Sequence, residues 1–182
     1  MRPIGYMYKR VSAAPPEFKA PHVADVYSLS THVSENFADY TNFWRHNGYW
    51  LFDSPSVIQA LAKEHALMLE GLKLFYYEAH EFQYDAVVGK WVPFEAEASF
   101  ETKIVPPGVR NLEGFDVTTF STGTSPECSP LSCNGLAAEV PTNSHCLLPT
   151  FEAAVRALED GRFSNTEPGP YRIIGVYSVN GA

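Results

Sequence analysis

The spacing of apolar positions along the chain predicts short strands interleaved with a few amphipathic helices. Lys73 to Tyr84 is a long aromatic run of strand character, and the polar stretch Asp85 to Lys90 turns it back into a second strand, Trp91 to Phe94. Phe115 to Phe120 reads as another strand. In Tyr171 to Val179 the set Tyr171, Ile173 and Tyr177 alternates with Ile174 and Val176, so both faces are apolar and a central position covered on both sides is expected. Val23 to Leu29, Tyr49 to Phe52 and His145 to Leu148 are shorter strand candidates.

Helical spacing occurs at four places. Phe37, Tyr40, Phe43 and Trp44 recur at intervals of three and four, following capping chemistry at Ser34 to Asn36 and stopped by Asn47-Gly48. Asp53-Ser54-Pro55 opens a helix running to about His65, with Val57, Ile58, Leu61 and Ala62 as its buried face. A short helix is expected near Leu136 to Val140. Thr150 caps a helix over Phe151 to Asp160, which Gly161 ends. Met1 to Pro21 carries Pro3, Pro15, Pro16 and Pro21 and predicts an extended arm on the body.

Two segments share one pattern. Trp50 to Asp53 followed by Val57, Ile58 and Leu61 lines up with Leu147, Leu148 and Thr150 followed by Ala154, Val155 and Leu158, where 154 − 57 and 158 − 61 both give 97. Two strand-helix-strand units in one chain most simply share a sheet. The fold class predicted is α+β: a single mixed or antiparallel sheet of roughly five to seven strands, with about three or four helices mostly on one face. The whole chain, 1–182, is expected to form one domain with 1–21 as its Pro-containing N-terminal arm.

Charge narrows the function classes. Thirteen basic residues stand against 21 acidic ones, a net charge of -8, with no run of Lys or Arg, so a nucleic-acid partner is not expected. No apolar run is long enough to span a bilayer and the N-terminus lacks a secretory pattern, which predicts no membrane association and a cytoplasmic location. The acidic balance suggests a non-enzymatic binding module, such as an immunity or inhibitor-type protein for a basic partner. Arg45, His46, Tyr49 and Trp50 are of the residue types that dominate interfaces and form a candidate recognition patch.

The alternative is chemistry at a thiol. All three cysteines, Cys128, Cys133 and Cys146, fall in one short stretch, and an odd count without a secretory pattern argues for reduced thiols. Ser121 to Ser132 is a Ser/Thr/Gly/Pro-rich connection of about a dozen residues, longer than usual, leading toward a helix that begins near Cys133. In a first turn, unpaired N–H groups would favour the Cys133 thiolate, as in thiol-dependent hydrolases and transferases. An imidazole is then required, and either His145, with Asn143 nearby, or His80 is the candidate base. Thr124, Ser125, Cys128, Ser132 and Asn134 surround the thiol as candidate binding contacts. A metal site built from Cys128 and Cys133 with His145 or Cys146 lacks the usual paired ligand spacing, so neither a metal nor a cofactor is expected.

Overall fold

The computed structural model describes residues 1–38, 47–98, 101–119 and 128–179. Eight strands are described: β1 (Arg2–Arg10), β2 (Ser12–Ala13), β3 (Asp25–Val26), β4 (Glu35–Asn36), β5 (Lys73–Asp85), β6 (Lys90–Pro93), β7 (Asn111–Thr119) and β8 (Tyr171–Ser178). Three α-helices accompany them among the described residues: α1 (Pro55–Glu64), the single turn α2 (Pro130–Cys133) and α3 (Phe151–Glu159). The main sheet is antiparallel at every pairing and runs β4-β1-β5-β8-β7, with β6 folding back on the far end of β5. β2 and β3 form a separate two-stranded ribbon.

β8 lies between β5 and β7 and is buried along its whole length except at Tyr177, in keeping with its two apolar faces. The N-terminal segment departs from expectation. Residues 2–10 form not an arm but β1, an interior strand whose six central residues are buried between β4 and β5. The prolines that suggested an arm lie at its start or beyond its end, so the ladder itself is spared.

Two β-loop-α-β units are built alike about the central β5–β8 pair. In the first, the Asn47 Oδ1 accepts from the backbone N–H of Tyr49 and Leu51, while its Nδ2 donates to the Ile4 carbonyl. In the second, the Asn143 Oδ1 accepts from His145 and Leu147, and Nδ2 donates to the Glu113 carbonyl. Each elbow contains a residue of positive φ, Trp50 at 57° and Cys146 at 61°, and then bridges back to the first strand, Phe52 to Tyr6 and Leu148 to Phe115. The helix caps follow at Ser54 and Thr150, of which only Thr150 accepts a capping bond, from Ala153.

The spacing between the units is therefore 96 (143 − 47 = 96, 150 − 54 = 96), one less than the apolar pattern suggests. The buried pairs in the helices are Ile58 with Ala154 and Ala62 with Leu158. Val57 is exposed, so aligning on it shifts the register by one. The short apolar runs 49–52 and 145–148 make isolated bridges rather than strands, because the elbow asparagines turn the backbone through them.

The two longer helices pack against different sets of core residues. Ile58 of α1 joins the cluster around Phe52, Phe75, Tyr76 and Ile174, whereas Ala154, Ala157 and Leu158 of α3 join a second cluster around Val117, Leu131, Phe163 and Ile173. The expected α+β class holds, as a curled antiparallel sheet accompanied by three α-helices among the described residues.

The elbows demand glycine on the strand beneath them. A Cβ on Gly5 would stand 2.6 Å from the Leu51 Cβ and 2.8 Å from the Phe52 carbonyl oxygen, at a φ of 134°; on Gly114 it would stand 2.8 Å from the Leu147 Cβ, at 147°. Both a strained backbone and a collision result. Gly5→Ala and Gly114→Ala should each lower the free energy of unfolding by about 2 kcal/mol or more, measured by urea denaturation. Losses under about 0.5 kcal/mol would show that the elbows do not need the close approach.

Candidate functional site

Two fully buried charged residues organise the region around Cys133. The Lys9 ammonium, on β1, donates to the carbonyls of Leu29 (2.9 Å) and Ser30 (3.1 Å). The Asp116 carboxylate, on β7, accepts from the Ser28 hydroxyl, the Leu29 N–H and the Ser129 hydroxyl. Leu29 is thus held through both its N–H and its carbonyl, and segment 28–30 is strung between the first strands of the two units, β1 and β7. Burial pushes Lys9 down to about 7, against opposing help from Asp116 and Cys133, and pushes Asp116 up to about 6, against its three side-chain and backbone donors.

This clamp brings His32 and Cys133 together. Ser129, tied to Asp116, precedes α2, at whose end Cys133 sits; Ser30, tied to Lys9, leads into His32. His32 Nδ1 lies 3.2 Å from the Cys133 sulfur and the Ser30 hydroxyl 3.7 Å from it. The Cys128 thiol, buried at the bridge to Thr119, points among the Cys133 sulfur, Glu167 Oε2 at 3.3 Å and Asn134 Oδ1 at 3.6 Å. His32 is exposed, Cys133 half-buried and Cys128 buried, so the three form a short ladder from solvent to core.

The hydrogen bond from Cys128 holds the Cys133 thiol well below its ordinary range; burial opposes this, and Ser30, a backbone bond from Ser129 and His32 reinforce it. Cys128 is pushed up, first by that same hydrogen bond and then by burial and Glu167. The shifts run in opposite directions, toward the thiolate at Cys133 and toward the thiol at Cys128. Cys133 and His32 open on a cleft of ≈ 680 Å³ whose other walls include Phe18, Val33, Asn134 and the carboxylates Glu17 and Glu35.

The dipole of a helix start is not the cause. α2 is one turn long, Cys133 is its last residue, and the Cys133 N–H is already committed to the Ser129 carbonyl at 2.7 Å. The polarity comes from side chains instead.

The other expected residues lie elsewhere or play other parts. His145 Nδ1 is bonded to Asp25, and its ring stacks on Tyr27 with centroids 4.1 Å apart. His80 packs among Phe82, Trp91 and Phe151, and burial lowers its pKa. The imidazole against Cys133 is His32, which neither alternative named. Asn143 braces the second elbow. Ser132 is buried, donates to the Ser129 carbonyl and, like Asn134, lines the cleft. Tyr49 is only 4% exposed and accepts from Arg2, so it belongs to the core rather than to a recognition patch; Trp50 is half-buried at its elbow. Cys146 is sealed in the second cluster, and burial raises its thiol to about 12. Arg45, His46, Thr124 and Ser125, together with most of the expected 37–44 helix and of the 121–132 connection, lie outside the described residues.

Lys9 and Asp116 had a signal that was passed over, since each interrupts apolar residues of its strand, Y-M-Y-K and G-F-D-V. His32 had none, because 101 positions separate it from Cys133. No helix among the described residues is long and apolar enough to cross a membrane. No protein-family model matches the chain, and neither does any curated protein or solved structure.

The buried ammonium predicts a pH dependence. Its folded pKa of about 7 lies below the usual 10.5, so across that window the unfolded chain binds the additional proton. Stability contributed by the neutral amine therefore rises with pH above 7 and is lost as pH falls back through 7. Relative to Lys9→Met, the wild-type unfolding free energy should gain on the order of 2 kcal/mol between pH 7 and 9. Parallel stability curves for the two proteins would overturn this assignment.

Proposed function

We propose that the chain is a thiol-dependent hydrolase or transferase in which Cys133 is the nucleophile and His32 its acid–base partner. The observation that carries this reading is the 3.2 Å approach of His32 Nδ1 to the Cys133 sulfur at the wall of a ≈ 680 Å³ cleft. The Cys133 sulfur attacks an electrophilic carbonyl carbon and forms a thioester, and the leaving group departs with a proton delivered by the His32 imidazolium. Water or a second nucleophile then gives a proton to His32, attacks the thioester carbon and releases the cysteine. Cys128 donates its hydrogen bond to the Cys133 sulfur between turnovers and positions it. Glu17 and Glu35 favour a neutral or cationic substrate over an anionic one.

The other reading, an acidic module for a basic partner, draws on the net charge of -8 and on no structural observation of its own. The thiol reading is tested by alkylation with iodoacetamide at neutral pH, read residue by residue by mass spectrometry. Cys133 should react first, with Cys128 and Cys146 protected by burial, and His32→Ala should slow it by about tenfold. With an activated acyl ester, the wild type should release one burst equivalent of leaving group and Cys133→Ser none. A Cys133 that alkylates no faster than a free thiol, with no burst, would overturn the proposal.

A further inference from the structure

The donor set around Cys133 does more than activate a nucleophile. The nitrogen of His32 and the sulfurs of Cys128 and Cys133 all lie within 4.8 Å of one another. A tetrahedral zinc ion with bonds of about 2.3 Å to sulfur and about 2.0 Å to nitrogen separates its ligand atoms by roughly 3.5–3.8 Å. The 3.2 Å between His32 and Cys133 needs only a few tenths of an ångström of adjustment to reach that geometry.

We infer that His32, Cys128 and Cys133 bind one soft divalent cation of the zinc class, and that its occupancy holds the Cys133 thiol chemistry switched off. The second half of this inference rests on the thiol reading above; the first half stands on the donor geometry alone. One imidazole and two thiolates are the ligand types such ions select over calcium or magnesium. Two thiolates also neutralise the dication, so the partly buried site gains no net charge.

The surroundings complete the case. The Ser30 hydroxyl reaches the Cys133 sulfur and the Asn134 amide oxygen lies beside that of Cys128, giving each sulfur an outer polar neighbour that can fix its direction. Glu167 Oε2, 3.3 Å from the Cys128 sulfur, stands where a fourth ligand could enter, and the cleft offers the alternative of water. On binding, the cation forms bonds to Nδ1 and both sulfurs, and the Cys128 proton and the proton on His32 Nδ1 pass to solvent. No electron is transferred. With its lone pair on the metal, the Cys133 sulfur is no longer free to attack carbon.

The test uses the full chain, reduced and stripped with a chelator, then titrated with Zn²⁺ against a chromophoric competitor and separately with Co²⁺. One equivalent should bind, and Co²⁺ should show thiolate charge-transfer absorption with tetrahedral d–d bands. Cys128→Ser should weaken Zn²⁺ at least 100-fold. His32→Ala, at an exposed position where folding is unaffected, should weaken it 10- to 100-fold. Zn²⁺ should slow Cys133 alkylation in step with occupancy, and chelation should restore it. Absence of a stoichiometric site in the wild type, or binding that His32→Ala and Cys128→Ser leave intact, would overturn the metal inference even where stripped Cys133 alkylates fast. A stoichiometric thiolate site in a protein whose stripped Cys133 alkylates slowly would instead overturn the thiol reading and leave the metal site standing.

Discussion

The clamp that Lys9 and Asp116 make on residues 28–30 is the interaction on which the site depends. Each charge lies fully out of water, where an ion is tolerable only if its hydrogen-bonding capacity is met. One residue serves both: the Leu29 N–H goes to Asp116 and its carbonyl to Lys9. Because β1 and β7 lie on opposite flanks of β5 and β8, a chain segment pinned to both must cross the curl of the sheet. Tyr27 confirms the path, packing edge-on to Phe75 of β5. The crossing delivers His32 to one side of the cleft, and the Ser129 bond to Asp116 delivers Cys133 to the other.

The scaffold under this clamp is nearly symmetric, yet the clamp is not. Gly5 and Gly114 occupy the same place beneath the two elbows, which puts Met7 of β1 opposite Asp116 of β7 (114 − 5 = 109, 116 − 7 = 109). Met7 is buried in the first apolar cluster and asks nothing of its neighbours, whereas Asp116 must recruit donors. One substitution of chemistry at matched positions thus gives β7 a buried carboxylate that recruits donors where β1 carries a packed methionine, while β1 contributes its own buried charge two residues further on, at Lys9.

Much of this fold was legible because its signals are local. Lys73–Asp85 and its hairpin partner, the two-faced strand Tyr171–Ser178 and the Thr150-capped helix each announce themselves within a dozen residues. The register of the two units was missed by one position, since apolar identity at Val57 is a weaker guide than the Asn47 and Asn143 elbows that fix the caps. β1 was missed because prolines flank a strand whose middle is apolar. At the site, Cys133 and Cys128 stood out by composition, but His32 is brought to them by a buried charge pair, and no local pattern encodes a crossing of the sheet. Its sequence neighbours made His145 attractive, and the same closeness ties it to the elbow and Asp25 instead.

The nucleophile and metal readings of Cys133 share one physical origin. A sulfur lone pair that accepts from Cys128, Ser30 and His32 is one whose electrons are already directed by three groups. Removing the Cys128 proton turns its thiol from a donor toward Cys133 into a second electron-rich sulfur, and the same geometry then converges on a cation rather than on a proton. What decides between the two uses is the species filling the space among the three side chains, because the backbone positions are set beforehand by Lys9 and Asp116. Among the described residues Cys133 lines the cleft while Cys128 is buried, so a cation held by both sulfurs would occupy the face that Cys133 turns to a substrate carbonyl.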